Sequence, residues 1–455
     1  MAVVIENEAP WEPERFLYVV LFLSCFASLF LHPFFSKPGT SSRATTTSSP
    51  FDLCSSGSFQ RFQRSFLILY SLASVMEGLG SVFGEHVYYS DGISRESVAL
   101  CLSAGAAAAL FIGPILGIVS DVKGPRKACI LFFVLHILVC VLKCISRHPS
   151  IWVMSICLAV STSAFSFCFE TWMVIEHEKQ GHRQDMLSDT FWLMFFFESA
   201  SLVGSQVLAN IAVKDVHRSF LTLSIPASLL AILSILYIKK EWSGFEQMSS
   251  IENYTKSFSS HILNDKRLWT LALAQASIYF SMSIFWILWA PTIVADGREV
   301  HLSLIYPCFL GSRMLGSTAF PWLFGGSLHH NEDCLTTAFA VAGLTFLILA
   351  YDYQEIGVLV TLFCIFHACV GFILPSLARL RTMYIPNKLR GGMISLSLAP
   401  ANAAFLSVLV LGGYLRVVSN ATIMAFAALG LICSAGCIHL LRRWRKQPHQ
   451  NWHTS

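Results

Sequence analysis

Thirteen apolar runs, most of them close to the length a helix needs to cross a bilayer, govern what this 455-residue chain can fold into. They fall at 16–35, 66–89, 98–119, 128–145, 150–175, 190–213, 219–238, 268–294, 301–325, 335–351, 356–377, 391–414 and 422–441. None shows the strict alternation of a barrel strand, so the expected structure is helical throughout. The composition is 55% hydrophobic and 13% charged, where a soluble domain carries about 25% charge. That excludes a soluble globular enzyme, a disordered chain and a disulfide scaffold. Lys and Arg number 31 against 27 Asp and Glu, a net charge of +4. The excess is too small and too scattered for a nucleic-acid binder. The 14 cysteines lie mostly inside apolar runs and form no C-x-x-C pair. They read as small packing residues, and neither a metal nor a cofactor is expected.

The first run does not read as a signal peptide. Its flank is acidic (Glu6, Glu8, Glu12, Glu14) and it ends in His32-Pro33-Phe34-Phe35 rather than in small residues. It reads as a retained helix. The other twelve runs repeat. The starts of the last six follow those of the first six by 201 to 207 residues. The halves, 66–238 and 268–441, are 173 and 174 residues long. Tandem six-helix halves are the arrangement of major facilitator transporters. The expected fold class is therefore an all-α membrane protein with a major facilitator fold, two six-helix halves plus one extra N-terminal transmembrane helix. Residues 1–65 hold that helix and a Ser/Thr-rich linker, 239–267 an inter-half cytoplasmic loop, and 442–455 a basic tail.

Loop charge gives the orientation. One side of the membrane collects 22 of the 31 Lys and Arg and the other collects 8, with Arg313 left inside a helix. The basic side is cytoplasmic, which places the C-terminus inside and, after thirteen crossings, the N-terminus outside. The protein is expected to be an integral multi-pass protein of the plasma membrane or an endomembrane. The two N-x-[ST] matches, at Asn253 and Asn420, are expected to be unmodified: the first is cytoplasmic and the second abuts a helix.

Between repeat helices 2 and 3 stands Gly117-Ile-Val-Ser-Asp121-Val-Lys-Gly124-Pro-Arg126-Lys127. This resembles the major facilitator loop motif. A single carboxylate, Asp121, stands among the cations Arg126 and Lys127, and can hold cations or a helix end in one state and release them in the other. These three are expected to gate. The matching loop of the second half, Gly325 to His330, keeps glycine and loses the charges.

A narrower resemblance rests on Phe59-Gln-Arg61-Phe62-Gln63, Phe169-Glu170-Thr-Trp172 leading to Glu176-His177, Gln275-Ala276, Leu288-Trp289-Ala-Pro291, Pro375-Ser376, Ile385-Pro386, Gly392 and Pro400. In this order the set is similar to the molybdate-anion transporter family of the major facilitator superfamily, over about residues 59–440. The family's D-W-L-Q falls on Glu77-Gly78-Leu79-Gly80. Its helix-7 Glu falls on Tyr279, and two of its basic positions fall on Leu193 and Leu398. The resemblance implies a transporter of a small tetrahedral oxyanion, and in that superfamily repeat helices 1, 4, 7 and 10 line the central cavity.

Charges within a bilayer are costly and face a cavity or a partner. The candidates for substrate binding or coupling are Glu77, Glu85, Glu198, Gln275, Tyr279, Arg313 and His367. Glu77, Ser81 and Glu85 lie on one helical stripe. Ser163 and Ser166 read as structural, while His367 serves equally as a packed neutral residue and Glu198 as a protonated core acid. Glu170 and Glu176, near the cytoplasmic end, are expected to gate by pairing with Lys123, Arg126 or Lys127. Arg313 reads as the only Lys or Arg deep in a repeat helix. It serves equally as an oxyanion ligand or as the partner of Glu77, Glu198 or another intramembrane acid.

No P-loop, G-x-S-x-G, H-E-x-x-H or C-x-x-C metal pair occurs, so neither an enzyme nor an ATP-driven pump is expected. The expected function is secondary active transport of an oxyanion, molybdate first, by alternating access. Its partners would be the lipid bilayer, the oxyanion and co-transported protons carried by Glu77, with no nucleic acid. The alternatives are transport of a different or neutral solute, and a non-transporting receptor or interaction protein on the same fold.

Overall fold

The computed structural model describes residues 11–35, 50–90, 94–145, 151–181, 184–212, 216–241, 251–261, 265–294, 299–324, 328–351 and 355–446. Each of the thirteen apolar runs lies on a helix. These are α1 (Arg15–Phe35), α2 (Pro50–Ser90), α3 (Arg95–Lys123), α4 (Pro125–Ile145), α5 (Ile151–Lys179), α6 (Gln184–Ala212) and α7 (Val216–Glu241). After a short helix α8 (Ile251–His261) come α9 (Lys266–Ile293), α10 (Leu302–Phe324), α11 (Leu328–Ala350), α12 (Ile356–Tyr384), α13 (Arg390–Val408) and α14 (Asn420–Lys446). Nine of the described helices are long and apolar enough to cross a membrane by length and composition alone.

In lipid every backbone polar group must be paired within its own segment, which leaves helices as the way for such runs to cross. The six helices from α2 to α7 and the six from α9 to α14 pack by one scheme. α2 lies on α6 and α7 as α9 lies on α13 and α14; α3 meets α5 as α10 meets α12; α4 meets α7 as α11 meets α14. The two groups meet chiefly through α3 against α13 and α6 against α10, with α6 against α12 and α5 against α13 beside them. This is the major facilitator fold of two six-helix halves. α1 stands outside the scheme and lies along α10. The Tyr18 hydroxyl donates to the Leu304 carbonyl, and the Trp322 indole donates to Ser28 Oγ at 3.0 Å.

Three features depart from the expected boundaries. α2 begins at Pro50, so residues expected in the linker are helical. The inter-half loop contains α8. α12 continues past 377 to Tyr384 and carries within the helix Arg379 and Arg381, two of the 22 cations assigned to the basic side as loop residues. Two of these departures lengthen a helix and one adds a helix, in each case with residues too polar to register as an apolar run.

One glycine of the loop motif is dictated by the backbone. Gly124 closes α3 at φ 102°, a conformation that a side chain at Cβ disfavours, and its N–H caps the Ser120 carbonyl at 2.9 Å. The motif glycine therefore makes the turn that directs α3 into α4.

Candidate functional site

The polar groups form three clusters. The first lies at the end of the bundle carrying Arg126 and Lys127. Asp121 sits in the last turn of α3 and reaches across to α13, where Oδ1 accepts the Gly391 N–H at 2.8 Å and Oδ2 the Gly392 N–H at 2.7 Å. The first N–H groups of a helix have no partner within it and carry the positive end of its dipole, so a carboxylate fits there. Tyr254 of α8 adds a hydrogen bond to Oδ2 at 3.2 Å. Burial, and then the adjacent Asp121 carboxylate, push the Tyr254 phenol above its ordinary range, so it remains a donor. A side chain here would displace the contact: a Cβ on Gly391 would lie 2.7 Å from Asp121 Oδ1, and one on Gly392 2.0 Å from the Tyr254 hydroxyl.

Behind it lies a buried ion network. Glu170 of α5 is held by one edge of Arg381 of α12, through Nε at 2.9 Å and through Nη2. Arg381 Nη1 donates to Gln275 Oε1 of α9 at 3.1 Å. Arg390, wholly buried at the start of α13, adds Nη1 to Glu170 Oε1 at 3.4 Å. This corrects the expected gate pairing. Glu170 pairs with Arg381 and Arg390, whereas Lys123 and Lys127 are exposed and Arg126 is half-buried. Glu176 meets Lys179 at 3.9 Å and Gln180 at 3.3 Å on its own helix. Arg313 is likewise not the only deep cation. Arg381 and Arg390 were hidden in the count of loop charges, because their burial depends on a carboxylate more than 200 residues away in sequence.

The second cluster lies at mid-helix. Arg313 Nη2 of α10 donates to Glu198 Oε1 of α6 at 2.6 Å, and the Tyr70 hydroxyl of α2 donates to Glu198 Oε2, also at 2.6 Å. Of the acids considered as partners for Arg313, Glu198 is the one that meets it. Beside it His367 of α12 is fully buried. It is enclosed by Phe285 at 4.3 Å, Trp286 at 5.5 Å, Phe366 at 5.5 Å and Phe309, stacked on it at 5.7 Å. Arg313 Nε and both His367 ring nitrogens are buried without a hydrogen-bond partner among the described residues. Phe309 stands one turn before Arg313 on α10, so both residues lie on the α10–α12 contact. Tyr279 of α9 is half-buried, within electrostatic reach of both the Arg381–Glu170 and the Arg313–Glu198 pairs.

The third cluster lies within the first half. Glu77 accepts from the Thr162 hydroxyl and stands 3.7 Å from His136 Nε2. His136 Nδ1 lies 2.8 Å from Ser161 Oγ and 3.2 Å from the Phe132 carbonyl. Glu77 is thus separate from Arg313. Glu85 is on α2, but its side chain falls outside the described residues. Ser166 bonds the Ser163 carbonyl at 2.7 Å, a local structural bond.

The helical pairing scheme and the charged groups where the halves meet define a class: a multi-pass membrane transporter of the major facilitator fold. The chain belongs to the MFS_5 family, described as "Sugar-transporters, 12 TM", which it matches over residues 40–354. Among curated relatives, the molybdate-anion transporter of Xenopus laevis is 24% identical over 87% of this chain and 87% of its own length. That of Takifugu rubripes is 24% identical over 78% and 80%, and that of Xenopus tropicalis 25% over 83% and 82%. Among solved structures, a bacterial homologue of the iron transporter ferroportin in the outward-facing state superposes with a TM-score of 0.64 at 14% identity, covering 85% of this chain and 100% of that one. At that identity the likeness concerns the fold.

Proposed function

We propose that this protein is a secondary active transporter that carries a small tetrahedral oxyanion, molybdate first, by alternating access of the halves 66–238 and 268–441. The curated relatives support the substrate class. The observation that carries the reading is the buried Arg313 Nε beside the imidazole of His367, neither with a hydrogen-bond partner among the described residues. A guanidinium is a planar fork that fits two oxyanion oxygens, and a buried donor left unsatisfied costs about 1–3 kcal/mol. A ligand oxygen would remove that cost. The Asp121–α13 contact and the Glu170–Arg381–Arg390 network serve as the lock on the cytoplasmic side, closed here and broken when the halves rock the other way. Against a negative interior, uptake of an anion is opposed by about 2.3 kcal/mol per charge per 100 mV, so co-transported protons supply the drive. The chain performs no covalent step in this scheme and needs no cofactor.

One observation favours a neutral solute instead. Glu198 cancels the charge of Arg313, and aromatic rings at Phe285, Trp286 and Tyr306 surround the same region, as a sugar would require. Uptake into vesicles containing the purified protein, tested with molybdate, tungstate, sulfate and a neutral hexose, separates the two. Saturable molybdate uptake, competed by tungstate and weakened by Arg313→Lys, is the expected result. Hexose uptake without oxyanion competition would replace the oxyanion reading with the neutral one.

A further inference from the structure

The Arg313–Glu198 pair presents an obstacle whose removal defines the coupling chemistry. A guanidinium offers Nε and Nη2 along one edge, and two oxyanion oxygens need both. Nε has no hydrogen-bond partner among the described residues, but Nη2 is held by Glu198 Oε1 at 2.6 Å. An oxyanion docking on that edge must take Nη2 from Glu198. It would then stand against an ionised carboxylate in a water-poor site, where like charges repel strongly. A proton on Glu198 removes the repulsion. The acid would also become a donor to the anion, while its second oxygen could keep the Tyr70 hydrogen bond, 2.6 Å long here.

We infer that Glu198 is the proton-coupling site: it takes up a proton as the oxyanion displaces it from Arg313, and returns the proton when the anion leaves and the pair re-forms. This rests on the oxyanion reading above, and moves the coupling role from Glu77 to Glu198. The step balances. One proton joins a Glu198 carboxylate oxygen, one ion pair opens, and one guanidinium–oxyanion pair closes.

Exposure agrees with the role. The Glu198 side chain is 13% exposed and that of Arg313 only 3%, so the acid is the partner open to proton exchange. Other groups set its surroundings. From α2 come Tyr70, bonded to it, and Glu77, within electrostatic reach. From α9 comes Tyr279, within reach of both members of the pair. From α12 come His367, within reach of Arg313, and Arg381, which is held by Glu170 of α5. The cations Lys239 and Lys240 of α7 are exposed in its last turn. Glu77 is tied to Thr162 and stands by His136, with no Lys or Arg paired to it among the described residues.

The test is direct. Molybdate is added to purified wild-type protein in weakly buffered detergent, and proton uptake is read with a pH indicator. Binding is titrated in parallel from pH 6 to 8. The expected result is one proton taken up per anion bound, with affinity falling about tenfold per pH unit on the alkaline side. Glu198→Gln should still bind molybdate, with no proton uptake and no pH slope, while Glu198→Asp keeps both. Molybdate binding by the wild type without proton uptake overturns the assignment and leaves the oxyanion reading standing. So does a pH slope that survives in Glu198→Gln. A wild type that binds none of molybdate, tungstate and sulfate overturns the oxyanion reading, and the coupling role with it.

Discussion

Glu170 faces two buried guanidinium groups, and its single charge serves both Arg381 and Arg390. Removing one partner of a buried pair costs about 3–5 kcal/mol, because the other charge is left unpaired. Glu170→Gln should therefore destabilise the locked state strongly and abolish transport. Glu170→Gln combined with Arg381→Gln, which removes one charge of each sign, should recover part of the protein's abundance in the membrane. Surface biotinylation checks this, and equal abundance for the single and double variants would mean that the network does not act as a unit. Asp121 differs in kind, since its partners are backbone N–H groups. Asp121→Asn keeps one acceptor and loses the charge and the other acceptor, weakening the contact by about 1–3 kcal/mol. Transport should fall several-fold at near-normal abundance. An uptake assay normalised to surface protein reads it, and unchanged transport would reduce Asp121 to a bystander in a basic loop.

Among helices, the α10–α12 contact positions both Arg313 and His367, and it depends on two glycines. A Cβ on Gly371 would lie 2.0 Å from the Arg313 carbonyl oxygen and 2.9 Å from Ser317 N. One on Gly316 would lie 1.9 Å from the Ala368 carbonyl oxygen. These are backbone atoms and cannot swing away. Close approach through small residues is how membrane helices associate. Gly371→Ala should separate the helices and lower abundance sharply, whereas Gly436→Ala, where nothing lies within 4 Å, should be neutral. Fluorescence-detected size-exclusion profiles of the two variants decide it, and a well-folded Gly371→Ala would remove this contact as the support of the site. α8 makes the complementary point. It lies in the inter-half loop, and its buried Tyr254 packs against Val122, Leu268 and Met393 while reaching Asp121. The loop thereby joins the lock.

Over the whole molecule, the charge asymmetry of the loops sets orientation. The end proposed to lock is the end with the basic loops, which is the side expected to be cytoplasmic. A tag at the C-terminus should be accessible only after permeabilisation and a tag at the N-terminus without it. Protease protection of both tags in sealed vesicles measures this, and both on one side would remove the thirteen-crossing topology. At the opposite end, the Arg416–Glu96 pair joins α3 to the segment before α14 at 3.3 Å, with both side chains more than half exposed. Exposed pairs contribute about 0–1 kcal/mol, so this pair adds little to holding that end shut.

The helices, their tandem repeat and the loop carboxylate were legible in the sequence because each is a local signal: an apolar run in lipid must become a helix, and a short turn needs its glycine. Arg313 and Glu198 were legible as candidates because a charge inside an apolar run stands out from its neighbours. Their pairing was legible only as one of several possibilities, since it joins residues 115 apart in sequence. Arg381 and Arg390 were concealed altogether. They border polar segments and read as loop cations until the fold brings Glu170 between them. In the same way, nothing local to His367 distinguishes a packed imidazole from a ligand. Its surroundings come from rings on three helices, set there by the approach of α12 to α9 and α10. Local hydropathy determined what crosses the membrane, and packing between distant helices decided which charges are paired and which donors remain to be satisfied.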